Sequence, residues 1–182
     1  MTNILFNKKH LKEYVMYGSA AGISHMLTVW YFLYESNYQK APILFIGSII
    51  FMFIIMGYAL TLAKRRPDYY STWGMIIAGQ MAVAVGIVVS VIGSLILCYF
   101  YIPGFLSSGG DDDLLRNAPG GLNVNNSGTL ELIFITGTFE NYGAGAFISA
   151  MIAYAAKPNQ TVDTTPEIFE EPISEMPPLE NL

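Results

Sequence analysis

The sequence predicts an all-α integral membrane protein: four transmembrane helices in two antiparallel hairpins, a long outer loop between helices 3 and 4, and an extended C-terminal tail. Three observations predict it. Of 182 residues, 53% are hydrophobic and only 13% are charged, where about 25% charge is usual in a soluble domain. The charges are segregated into an N-terminal lead, three loops and the tail, whereas the helices of a soluble bundle carry polar faces of their own. Finally, Thr72 to Tyr101 is an almost unbroken apolar run. As a helix it would be ~45 Å long, against a hydrocarbon core of ~30 Å, so it must tilt or project beyond the lipid.

Residues 1–13 form a polar cytoplasmic lead with Lys8, Lys9, His10 and Lys12. Helix 1 is expected over 14–34. It ends in Trp30, Tyr31, Phe32 and Tyr34, an aromatic belt of the kind that sits at a membrane interface. The run is longer than the apolar region of a signal peptide and lacks a small-residue cleavage site, so it reads as an uncleaved span. A polar turn, Glu35 to Ala41, leads to Pro42, which suits the first turn of helix 2, expected over 42–63. So short a turn makes helices 1 and 2 an antiparallel hairpin.

Lys64-Arg65-Arg66-Pro67-Asp68 ends helix 2, and Tyr69, Tyr70 and Trp73 supply the next belt. Helix 3 follows over 72–101 and stops at Pro103-Gly104. Residues 105–128 have the composition of an external loop, rich in Gly, Asn and Ser and containing Asp111-Asp112-Asp113. Loops of that length are usually functional, docked or disordered. Helix 4 is expected over 132–156, inside an apolar run from Thr129 to Ala156 that Glu140 and Asn141 interrupt. Residues 158–182 are an acidic, Pro-rich tail with spaced Ile168, Phe169, Ile173, Met176 and Leu179. Alone, such a tail buries too little surface to order itself; the spaced apolar residues fit a partner's groove.

Two helix faces carry little side-chain bulk, which lets helices approach closely in lipid. On helix 3, Gly79, Gly86 and Gly93 recur every seven residues, with Ala82 and Ser90 alongside; on helix 4, Gly145, Ser149 and Ala153 are four apart. The expectation is that these two faces pack together. Gly18 and Gly22 form a GxxxG pair on helix 1, left free for another subunit.

Lys and Arg set orientation. With four spans, Lys8, Lys9, Lys12, Lys64, Arg65, Arg66 and Lys157 share one side, and only Lys40 and Arg116 lie on the other. Both termini are therefore placed in the cytoplasm of a multi-pass chain, with the 105–128 loop outside.

Few residues could carry chemistry. His25 lies near the middle of helix 1, where an ionisable group is a functional candidate; the alternative is a neutral imidazole bonded to a neighbouring helix. Glu140 is the second. Counting at ~1.5 Å per residue puts it ~24 Å from the cytoplasmic edge and His25 ~16 Å from it, a stretched contact that would make a proton-sensitive pair. Gln80 and Asn141 read equally as interhelical glue or pathway groups. Consecutive aspartates at 111–113 do not match the alternating ligands of a calcium loop and read as a solvated acidic loop. The lone Cys98 leaves no internal disulfide and no cysteine-based metal site. No nucleotide loop, zinc spacing, nucleophile elbow or basic nucleic-acid patch is present. No catalytic residue, cofactor or metal is expected.

The whole pattern resembles a known one. Its parts are the first hairpin, the Lys64-Arg65-Arg66 exit, Tyr70-Ser71-Thr72-Trp73-Gly74 with Gln80, a third helix ending Tyr101-Ile102-Pro103, a polar outer loop, and a small-residue fourth helix ending at Lys157. Over residues 11 to 157 this is similar to a family of small four-helix inner-membrane proteins of Bacteroidota, a domain of unknown function. The tail and the Glu140-Asn141 interruption depart from that pattern. The resemblance implies an inner-membrane location and brings no activity.

The functional expectation is a non-catalytic accessory or structural subunit of a larger membrane complex. Its partners are the bilayer and other membrane-protein subunits, reached through small-residue faces and the tail. A small homo-oligomeric transporter or proton-linked channel using His25, Gln80 and Glu140 is the alternative. A sensor signalling through the tail is a third reading.

Overall fold

The computed structural model describes residues 8–64, 72–102, 105, 115, 117 and 126–156. The Arg65-Arg66 cluster, Tyr69, Tyr70, the aspartates at 111–113, Lys157 and the tail positions Ile168, Phe169, Ile173, Met176 and Leu179 lie outside the described residues. Among the described residues all regular structure is helical. The elements are α1 (Lys8–Glu35), a 3₁₀ turn (Tyr38–Lys40), α2 (Pro42–Lys64), α3 (Thr72–Tyr101), α4 (Asn126–Ile135), a π-helical turn (Thr136–Glu140) and α5 (Asn141–Ala155). Two stretches, α2 with the turn before it and α3, are long and apolar enough to cross a membrane. Helices α4 and α5 are each shorter, but the π turn joins them into one rod with α-helical dihedrals on both sides of the junction.

Two helices start earlier than their apolar runs. α1 begins at Lys8 rather than at Tyr14, because Lys, Leu and Glu are good helix formers. His10 Nδ1 also stands 3.7 Å from Glu13 Oε2 one turn on. α4 begins at Asn126 rather than at residue 132, taking in the last residues of the expected loop. Leu130, Leu132 and Ile133 pack with Val29, Phe32, Leu44 and Cys98, and tertiary packing of this kind is what holds a short helix.

The first hairpin is closed by local hydrogen bonds. Ser36 takes a left-handed conformation (φ 47°) after α1, with its N–H donating to Phe32 O at 3.1 Å and its Oγ to Leu33 O at 2.8 Å. Asn37 Oδ1 accepts the N–H of Gln39 at 3.0 Å, capping the 3₁₀ turn. Pro42 then opens α2 where its missing N–H costs nothing.

Contacts fix the directions of the rods. Gly18 meets Gly86, His25 meets Ser90, Met26 meets Gly93, and Trp30 bonds Tyr101, so α1 and α3 run parallel. Tyr17 stacks near Tyr58 while Gly47 meets Thr28, so α2 opposes α1. Ser149 meets Gly79 and Gly137 meets Ser90, so the α4–α5 rod opposes α3. α1 and α5 each lie beside both α2 and α3. Two apolar clusters fill the interior. One, toward the Tyr14 end, contains Phe51, Ile55, Tyr58, Ala82, Val83 and Ile148. The other, toward the Trp30 end, contains Val29, Phe32, Leu44, Cys98 and Ile133.

The glycine faces pack differently from expectation. Gly18 and Gly22 are not left free for a partner; both press on the backbone of α3. A methyl group on Gly18 would collide with Ala82 O, one on Gly22 would lie 2.5 Å from Gly86 O, and one on Gly86 would lie 3.0 Å from Gly18 O. Gly93 faces Met26 of α1. The stripe on α3 is thus divided: of its three glycines only Gly79 has its nearest neighbour on the fourth rod, where a methyl group would stand 2.6 Å from Ser149 Cβ. Gly145 faces Val83 and Phe51, and Ala153 is buried nearby. The physical reason is drift: a seven-residue repeat turns by about 20° per step on a straight helix, so the stripe slants from the α5 side at Gly79 to the α1 side at Gly93.

Candidate functional site

Between the two apolar clusters lies a polar layer drawn from all the rods, and its centre is His25. The imidazole is fully buried. Its Nδ1 shares a 2.8 Å hydrogen bond with Ser90 Oγ of α3. Glycines make room for the ring on two sides. A methyl group on Gly47 of α2 would stand 3.2 Å from His25 Cδ2, and one on Gly137 of the π turn 3.7 Å from Cε1. Nε2 sits between those two ring carbons and so faces the seam between α2 and the π turn. Whichever nitrogen carries the proton, Nε2 has no hydrogen-bond partner among the described residues.

The π turn supplies the other half. Gly137 lies 3.6 Å from Ser90 Oγ, measured from the same built methyl position. Asn141, fully buried, donates from Nδ2 to Gly137 O at 3.2 Å, while its Oδ1 has no partner among the described residues. The wider turn frees carbonyls that an α-helix would use, and two threonines cover three carbonyls of the preceding turn. Thr136 Oγ1 donates to Leu132 O and Ile133 O at 3.0 and 3.1 Å, and Thr138 Oγ1 to Phe134 O at 2.6 Å. Such back-bonding accompanies distorted helices.

Glu140 turns away from this centre. Its Oε2 accepts a hydrogen bond from Ser48 Oγ of α2 at 3.3 Å. No hydrogen bond or ion pair joins it to His25. Height along the bundle is not the obstacle. Because α1 starts at Lys8, His25 stands higher than a count from Tyr14 suggests, level with Gly137. The two groups are separated by direction: one points at α3, the other at α2. Gln80 is apart from both, ten residues or about 15 Å along α3 from Ser90. Its Nε2 donates to Ser149 Oγ at 3.2 Å, tying α3 to α5, and Ser149 Oγ in turn donates to Ala146 O at 3.0 Å.

Sequence reasoning singled out His25, Glu140 and Asn141, read Ser90 only as a small residue, and gave no role to Gly47, Ser48, Thr136 or Gly137. The available signal was the cluster Thr136-Gly137-Thr138 just before Glu140-Asn141, five polar or small positions among apolar ones. Among the described residues no group of three His, Cys, Asp or Glu side chains is placed to hold a metal ion. No family model, curated protein or solved structure matches the chain.

Proposed function

We propose that the chain is a four-span protein of a bacterial inner membrane, both termini cytoplasmic, that serves as a non-catalytic subunit of a larger membrane assembly. The observation that carries the membrane reading is where bulk lies. Large apolar side chains cover the outside of every rod: Met16 and Leu27 on α1, Phe45 and Phe53 on α2, Val88 and Phe100 on α3, Phe134 and Phe147 on the fourth. Only 39% and 33% of residues in the most apolar windows of α2 and α3 are buried inside the molecule, unlike the core helix of a soluble fold. Lipid is the solvent that accepts such a surface.

The subunit reading draws on one outward face. Among the described residues no other element comes within 4 Å of a methyl group placed on Gly143, which is flanked by Phe139, Tyr142 and Phe147, each more than half exposed. A small position between aromatic ridges suits a facing helix. The resemblance to the Bacteroidota family agrees with the location. Purification in mild detergent through a tag placed between residues 106 and 114, followed by native mass spectrometry, tests the reading. Defined subunits at fixed stoichiometry, lost on deleting residues 160–182 or on Gly143→Trp, support it. A homo-oligomer without other subunits refutes it.

The polar layer favours one second reading, a proton-linked path. His25 Nε2 and Asn141 Oδ1 are buried polar atoms without partners beside a π turn, and π turns are frequent at functional sites. Proton flux into vesicles that falls in His25→Phe and Asn141→Leu but not in Gln80→Leu would support that path.

A further inference from the structure

Three places in the molecule carry features that the packing leaves unexplained: the His25 layer, the outward Gly143 face, and a cleft between α3 and α4. The cleft carries an inference furthest. Toward their Trp30 end the two helices separate and enclose a cavity of about 300 Å³, at the small end of ligand-sized pockets. The antiparallel rods arrange its lining in tiers. Glu131 and Cys98 stand at the outer tier, Ser94 and Phe134 in the middle, and Val91 with Gly137 at the floor. Leu95 and Phe134 at the sides are about half exposed, so the cleft opens sideways onto the apolar surface.

Two polar groups break the apolar lining. Ser94 lines the cavity and is only 5% exposed, and among the described residues its Oγ has no hydrogen-bond partner. A buried hydroxyl without a partner is costly, and an occupant that brings an acceptor removes that cost. Glu131, exposed at the outer tier, adds a carboxylate within two turns of the start of α4. A cation there would be attracted in the low-dielectric margin of a membrane.

We infer that this cleft binds one phospholipid with a primary-amine headgroup from the outer leaflet. The lipid's amine meets the Glu131 carboxylate, an ester carbonyl accepts from Ser94 Oγ, and one acyl chain runs down past Phe134 to Val91 and Gly137. Each part of that molecule answers one tier: charge at the mouth, an acceptor at mid-depth, hydrocarbon below. An acyl chain alone would leave Ser94 unpartnered, and an anionic headgroup would be repelled by Glu131.

The inference rests on the membrane reading above. In the test, the full chain is placed in vesicles of equal phosphatidylethanolamine and phosphatidylglycerol and washed with alkaline carbonate. It is then extracted in mild detergent, and its retained lipid is counted by native mass spectrometry. Expected are one phosphatidylethanolamine per chain and about tenfold less phosphatidylglycerol, a preference equivalent to ~1.4 kcal/mol. Glu131→Gln brings the two lipids to parity. Ser94→Ala lowers retention about threefold to tenfold, and Val91→Trp, which fills the floor, abolishes it. Cys98, the one cysteine, reports independently: a lipid-soluble maleimide labels it more slowly in phosphatidylethanolamine than in phosphatidylglycerol vesicles. Equal retention of both lipids, retention of neither, or indifference to Glu131→Gln and Ser94→Ala overturns the lipid site alone. Loss of the chain in the carbonate wash overturns the membrane reading and the site with it.

Discussion

The two halves of α3 are packed by opposite rules. Over Ala82 to Gly86 its backbone lies directly on α1, with Gly18 against Ala82 O and Gly22 against Gly86 O. Over Val91 to Cys98 its other side faces α4 across an open cleft. The difference lies in what each neighbour offers. α1 presents Gly18 and Gly22 in register with Gly86, which permits close approach and short Cα–H···O contacts. α4 presents Leu130, Ile133 and Phe134, whose bulk holds the backbones apart. In this chain tightness follows from the absence of side chains, and space follows from large ones.

The largest expected effect comes from breaking the tight half. Gly22→Leu should lower stability by more than about 3 kcal/mol, since overpacking against backbone leaves nothing flexible to move aside. Unfolding in mixed detergent micelles measures it. Val91→Phe in the open half likewise adds four carbons, but into space, and should change stability by less than about 0.5 kcal/mol. Equal losses would show that the two halves do not differ.

A smaller effect is expected at the layer between them. Ser90→Ala leaves His25 Nδ1 buried without a partner and should cost about 1–3 kcal/mol. In a double-mutant cycle with His25→Phe the two changes should couple by at least about 0.5 kcal/mol. Additive losses would mean that the 2.8 Å contact holds nothing together. Gln80→Leu should cost only about 0.6 kcal/mol, the average for an interhelical hydrogen bond in a membrane. The smallest change is at Gly143, which faces open space. Gly143→Ala should stabilise the isolated protein slightly, by up to about 1 kcal/mol through helix propensity. A loss of stability there would reveal an unrecognised contact.

The helical class and the Thr72–Tyr101 and Pro42 boundaries were legible because apolar runs and breakers act locally. The polar residues at the candidate site were legible one at a time, since any His or Asn in an apolar run is conspicuous. Their partners were not. Ser90 is ordinary among small residues until α1 is placed in parallel beside α3, and Gly137 has meaning only once the π turn aims it at His25. The division of the glycine stripe between two neighbours, and the use of Gly18 and Gly22 inside the molecule, were likewise hidden.

By itself the sequence determined which segments are helical, where charge is excluded and which residues are small enough for close contact. Those properties depend on side-chain chemistry within a few residues of one another. Only the tertiary structure decided which glycine met which carbonyl, that His25 chose Ser90 while Glu140 chose Ser48, and that α3 and α4 part to leave a cleft. Those outcomes depend on the rotation and tilt of whole rods. A single inserted residue in the π turn resets them for every side chain that follows.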